Sequence, residues 1–460
     1  MTEIGRSAPW PLAAAQVVRS FYPEAALHMS DAHVRALPIS DTPVDVSRSP
    51  EVVYHSSKKP LHHVRGFHMK AVEPLANVSA EELLGLLAGD AFLDHVLPAD
   101  GGGDGDHILP AEGGGGGASC PALRRWHYYA ATNDSSAAVA AVRRSIPMAS
   151  LLERRLVSMA GAPLHSENLW IGGGGVSAWA HYDASWNAFL QLRGTKRWLL
   201  VDPVMAESRL APYSFLHPAF RRTQLHPTTL SGGDGGSVNG SERAEGEDRD
   251  GLREVNLHAG DLLLLPPFIF HHVTAASSVT IAFNMWACDG ATRRVQRLVE
   301  RGARSIGLPP PTLERMSRES KAACVEAAAI ELVVAAELAP TADAARAWIA
   351  GRMRERWRPV LQRYPRGLGR LRRYCATGKA REARRTLAAV HGTPADWARA
   401  VEDAAGALRA VRDAGGEALE TANLIEQAAL DALSDARTAG SFLIHCFLDE
   451  DSGSTVTSPS

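Results

Sequence analysis

The sequence predicts an α+β chain: a β sandwich or barrel in the middle, a mixed flank before it and a helical unit after it. Three observations carry this. Eight short apolar runs, bounded by Gly, Pro or Asp, fall between Leu169 and Trp286. From about Pro309 the chain turns Ala-rich, with helical periodicity and almost no strand pattern. Two Gly-rich stretches without apolar pattern, 101–117 and 231–251, have the composition of insertions.

In chain order, residues 1–150 form the mixed flank. Ser79-Ala80-Glu81-Glu82 has capping-box form, so a helix is expected through Leu83 to Leu87. After the 101–117 insertion, the aromatic run Trp126 to Tyr129 is read as the start of another helix. Residues 151–290 hold the strands, expected at Leu169–Ile171, Ser177–Asp183, Ala188–Leu192, Arg197–Val201, Val255–Leu257, Asp261–Leu265, His272–Ala275 and Thr280–Trp286. Ser231 to Gly251 is read as a disordered loop between two of them. Residues 295–448 form the helical region, roughly four to six helices at usual lengths. One starts at Thr393-Pro394-Ala395-Asp396, with Thr as N-cap and Pro in the first turn. Residues 449–460 are a polar tail.

Composition narrows the class. The 460 residues are 45% hydrophobic and 22% charged, enough apolar content for a sizeable core and too much for a wholly disordered chain. The formal net charge of −2 argues against a protein basic all over. Five scattered cysteines form no CxxC motif, so a zinc ribbon or disulfide scaffold is not expected. No apolar run reaches the ~18 residues of a membrane span. The expected setting is intracellular, in cytoplasm or nucleus, without a membrane partner.

The chemistry concentrates in His181-Tyr182-Asp183, inside an expected strand. Side chains at i and i+2 of a strand share a face, so His181 and Asp183 can both point inward. A third donor from Phe270-His271-His272 would complete two histidines and one carboxylate, a set that leaves positions on Fe(II) open. An HxD triplet alone is common by chance. Its surroundings set this one apart.

Leu169 to Pro203 and His258 to Trp286 resemble the core of the JmjC-domain (cupin-like) oxygenases, most closely the small JmjC hydroxylases. The resemblance implies a double-stranded β-helix (jelly-roll, cupin-like) barrel, Fe(II) and 2-oxoglutarate as cofactors, and a dioxygenase hydroxylating a protein side chain. On the family pattern, HxD falls on His181 and Asp183. The distal metal His, five residues after a Pro, falls on His271 counted from Pro266, the preferred reading, or on His272 counted from Pro267. The basic residue for 2-oxoglutarate falls on Lys196 in Gly194-Thr195-Lys196-Arg197, with Arg197 turned outward. Asn187, Asn284 and Tyr128 (or Tyr129) match co-substrate neighbours. One departure stands out: Ala178 occupies a position where relatives carry Thr or Ser. Ser177 could replace that hydroxyl only if a bulge intervenes.

Segment 352–385 carries thirteen Lys or Arg against two acids, a net of +11, with Trp357, Tyr364 and Tyr374 interleaved. It could hold RNA, giving an RNA (tRNA-type) hydroxylase as the alternative activity. A solvated helix face paired with the acidic remainder is the simpler reading. A lysine demethylase and a non-catalytic cupin-like interaction module are further alternatives. The apolar spacing of Leu424-Ile425, Ala428-Ala429, Leu433 and Phe442-Leu443-Ile444 fits either a homodimer contact or burial within the chain.

Overall fold

The computed structural model describes 136–231, 251–358 and 393–447 continuously, with shorter stretches before Ser136, at 248–249 and within 383–387. The 101–117 insertion, residues 232–247, most of the basic segment beyond Arg358 and the tail lie outside the described residues.

Fourteen strands form two sheets among the described residues. The larger runs β1 (Gln16–Val18), β12 (Leu262–Leu265), β8 (Trp186–Arg193), β14 (Val279–Ala287), β6 (Leu164–Gly173), β5 (Trp126–Thr132), β2 (Val44–Ser47), β4 (Glu73–Leu75). The smaller runs β10 (Asp248–Arg249), β11 (Leu252–Leu257), β9 (Lys196–Val201), β13 (Phe270–Ala275), β7 (Ser177–Tyr182), β3 (Glu51–Val52). All eight expected strands are present. The expected α+β class of paired β sheets with a helical unit holds; the two sheets face each other without closing, and each keeps two edges.

Strand alternation divides the apolar residues among three layers. Phe189, Leu263, Leu265 and Ala282 of the larger sheet meet Trp198, Leu200, Val255 and Val273 of the smaller one between the sheets. The alternate residues Leu190, Leu262, Leu264, Phe283 and Met285 face outward, onto helices Ala137–Ser145 and Ala149–Ala160. The four consecutive leucines of β12 are thus buried on both faces, which explains a continuous apolar run where a half-exposed strand would alternate. On the smaller sheet, Tyr182, Leu199, Val201 and Phe270 face outward onto the C-terminal helices. Each such fully buried large side chain contributes about 1.5–3 kcal/mol.

Trp126 to Tyr129 is strand, not helix. Aromatic side chains suit a pleated surface, and this run pairs with both β2 and β6. Asp248–Arg249, within the expected loop, pairs with Leu252 and Arg253. The capping box holds: Ser79 N–H donates to Glu82 at 2.7 Å and Glu82 N–H to Ser79 Oγ at 3.2 Å. Thr393 caps its helix through Asp396 N–H at 3.2 Å.

From Pro310 on, six α-helices are described, two of which are central. Arg318–Ala335 and Glu417–Leu433 are buried along most of their length. Leu424, Ile425, Ala428, Ala429, Leu433 and Phe442 to Ile444 are all buried within the chain. Arg352 pairs with Glu207, Arg356 with Glu426 and Arg358 with Glu355, so three of the four arginines at the described start of the basic segment hold carboxylates. Cys288 and Cys324 are buried outside any disulfide, and Cys446 is disulfide-bonded. No described helix is long and apolar enough to cross a membrane.

One contact ties the C-terminal helices to the β12–β13 turn. Phe268 is fully buried at φ +69°, a left-handed conformation unusual for an aromatic residue. Its ring lies where a Cβ on Gly416, the N-cap of Glu417–Leu433, would come within 2.5 Å. Gly416→Ala is expected to destabilise the protein by about 1–3 kcal/mol through overpacking, measured by urea denaturation. An unchanged midpoint would mean that the Phe268 ring is free to move.

Candidate metal centre

β7 and β13 are antiparallel neighbours, and their register sets His181 opposite His271. The two rings lie 4.3 Å apart between centroids. Asp183 follows β7 by one residue, and its Oδ2 lies 3.8 Å from His271 Nε2. One ligand atom from each of His181, Asp183 and His271 falls within 4.8 Å of the others. The Asp183 carbonyl accepts from Phe268 N–H at 2.8 Å, which links the two ligand-bearing segments.

Both rings are oriented by backbone. His181 Nδ1 lies 2.7 Å from the Trp179 carbonyl, and His271 Nδ1 lies 3.0 Å from the Ile269 carbonyl. A carbonyl accepts only, so each Nδ1 carries the hydrogen and each Nε2 keeps its lone pair. Burial, followed by the neighbouring His271 and Arg222, pushes the His181 pKa well below its ordinary value. Burial also lowers that of His271. Two neutral imidazoles and a carboxylate in a shielded pocket fit a divalent metal by donor type and number.

His272 takes no part in this cluster. It pairs with Leu199 on the outward face, and its Nε2 lies 3.1 Å from His226 Nε2. The ambiguity between the two histidines thus disappears in the geometry, because adjacent strand residues face opposite ways.

Lys196 opens β9 after Gly194, whose φ of +69° makes the turn and whose Cβ position is filled by the Val279 carbonyl. Its Nζ lies 5.3 Å over the Phe189 ring, and burial lowers its pKa to about 8. It has no ion pair among the described residues. Arg197 points outward and binds Glu254 at 2.6 Å. Asn284 Nδ2 donates to Asn187 Oδ1 at 2.9 Å, and Asn284 Oδ1 accepts from Trp170 Nε1 at 2.9 Å. Both Asn residues are buried in the larger sheet. Tyr128 lies in β5 opposite Gly172, but its side chain is outside the described residues.

The departure at Ala178 acquires a geometry. Between the pairs His271 with His181 and Val273 with Ala178, β13 advances two residues and β7 three. This bulge turns Ala178 onto the interior cluster, the same side as His181. Ser177 is left on the other face and cannot supply the missing hydroxyl.

Sequence reading missed the cleft beside the centre. A cavity of about 460 Å³ is bounded by Asp183, His165, Arg221, Trp286, Arg293 and Gln296, among others. His165 is one of the residues that line it. Its ring stacks on Trp286 at 6.4 Å, one step from Asp183. The available signal was Asp289-Gly290, a helix start directly after the last strand that returns Arg293 to the cleft.

The model of the cupin-like domain family matches residues 118–287. A solved structure, that of the E. coli protein ycfD, matches at 16% identity over 41% of this chain and 40% of that one. Its TM-score is 0.25, too low for any inference about this molecule. Residues 118–287 therefore carry a cupin-like domain of largely antiparallel sheets, the smaller of which bears a candidate His-Asp-His metal site.

Proposed function

We propose that the chain is an Fe(II)- and 2-oxoglutarate-dependent dioxygenase of JmjC type that hydroxylates a protein side chain. The observation that carries the reading is the His181–Asp183–His271 cluster, one ligand atom of each within 4.8 Å of the others and both Nδ1 atoms held by backbone carbonyls. Iron bound there would supply oxidation of a C–H bond coupled to decarboxylation of 2-oxoglutarate to succinate. The chain's own residues supply the rest. The ammonium of Lys196 pairs with the far carboxylate of the co-substrate, charge against charge in a shielded site. The ring pair Phe189–Trp198, 4.7 Å apart, walls the interior against water. Arg352, Arg356 and Arg358 are engaged with Glu207, Glu426 and Glu355, which favours a protein substrate over RNA at this end of the basic segment.

Mixing the protein with Fe(II) and 2-oxoglutarate without oxygen is expected to give a weak visible charge-transfer band. His181→Ala and Asp183→Ala should each remove it, and a wild-type mixture without the band defeats the reading. The pH profile tests Lys196. Its folded pKa of about 8 lies below the ordinary 10.5, so the ammonium predominates below pH 8 and the neutral amine above it. Co-substrate affinity should therefore fall as pH rises through about 8, and Lys196→Arg should flatten that fall. Ala178→Thr puts a hydroxyl on the interior side of the bulge and should tighten 2-oxoglutarate roughly two- to tenfold, the worth of one hydrogen bond. Ser177→Thr, on the other face, should leave affinity unchanged in the same titration.

A further inference from the structure

We propose that the helix Gly290–Arg301 and the cleft at its start form a docking track for an acidic polypeptide segment, guiding its target side chain to the metal centre. The proposal rests on the preceding reading of that centre. Arg221 and Arg293 line the cleft that contains Asp183. Arg221 is held at φ +67°, with its carbonyl accepting from Tyr182 N–H at 3.1 Å. A non-glycine residue in that conformation has a position over-determined by its neighbours. Arg293 is pinned by a hydrogen bond to the Cys288 carbonyl at 2.8 Å, while Asp289 caps the helix through Thr292 N–H at 2.7 Å.

The basic row continues outward. Arg294, Arg297 and Arg301 are exposed at one-turn spacing, and Arg304 follows in the next turn. All four border a second hollow of about 470 Å³ whose one acid is Asp403. Several arginines elsewhere hold carboxylates, among them Arg143, Arg193, Arg197, Arg346, Arg356 and Arg412, and what sets the present row apart is its clustering along one helix and cleft. Among the described residues Arg221, Arg293, Arg294, Arg297, Arg301 and Arg304 form none. Six guanidiniums without carboxylates, leading away from one cleft, are a charge pattern awaiting an anionic partner.

The partner's class follows from the lining. Single-stranded nucleic acids are held by basic grooves that also offer aromatic faces for stacking. The outer hollow offers Leu298, Ser305, Ala400 and Ala404 beside its charges, and no aromatic ring. The two rings in the cleft, His165 and Trp286, stack on each other. Carboxylates on alternate residues of an extended peptide are about 7 Å apart. That is compatible with guanidiniums rising about 5 Å per helical turn, and carboxylate is the anion that Arg binds in two-pronged fashion.

The test uses the full chain and fluorescence anisotropy at low salt. Three labelled probes are compared: an alternating Ala-Asp dodecapeptide, its Ala-Lys counterpart and a single-stranded RNA dodecamer. The Ala-Asp peptide is expected to bind and the Ala-Lys peptide not. The triple variant Arg294→Glu, Arg297→Glu, Arg301→Glu should weaken Ala-Asp binding by at least ~10-fold, and Arg293→Gln should weaken it in the same direction. The triple variant should keep the wild-type charge-transfer band. Tighter binding of RNA than of the Ala-Asp peptide, or unchanged peptide affinity in the triple variant, overturns the proposal. A missing band in the wild-type protein counts against the metal centre alone, because peptide binding is read independently of it.

Discussion

The register between β7 and β13 is the constraint on which the candidate site depends. It places His181 across from His271, and strand alternation then sends both rings inward. A slip of one residue would present His272 to the interior and turn His271 toward the C-terminal helices. The backbone carbonyls of Trp179 and Ile269 fix the rings once they are inside. The bulge in β7 belongs to the same constraint, since it restores inward facing at Ala178 after an odd step.

The helices behind the smaller sheet hold that register from outside. Glu426, fully buried, accepts from Phe215 N–H, Arg356 and Trp357 Nε1, joining three segments through one carboxylate. Asn423 donates to the Tyr182 hydroxyl at 3.2 Å, one residue from each of His181 and Asp183. Such a network is costly to leave half-made, so the helical unit and the sheet specify each other's placement. What looked in sequence like a solvated basic face is in part the interior wiring of this joint.

Legibility followed the range of the interactions. The strands were readable because apolar alternation and Gly/Pro punctuation are local, and the helix caps at Ser79 and Thr393 are local for the same reason. Trp126 to Tyr129 was misread because its strand character depends on pairing with β2 and β6, which no nearby residue announces. The choice of His271 over His272 needed the register across two strands. Strand density left sandwich and barrel both open, because it says nothing about edges. Arg221 and Arg293 were invisible because the cleft they line is assembled from the ends of separate elements. The missing hydroxyl at Ala178 was legible, but its inward direction was not.

The donors and the Asn pair rest on different sheets. His181, Asp183, His271 and Lys196 belong to the smaller sheet or the residue directly after β7, whereas Asn187 and Asn284 belong to the larger. The larger sheet is backed by the N-terminal helices and the smaller by the C-terminal ones. A substitution that shifts one backing layer therefore acts on one half of the pocket and leaves the other in register. The candidate metal donors and the far wall of the space around them thus answer to different backing layers.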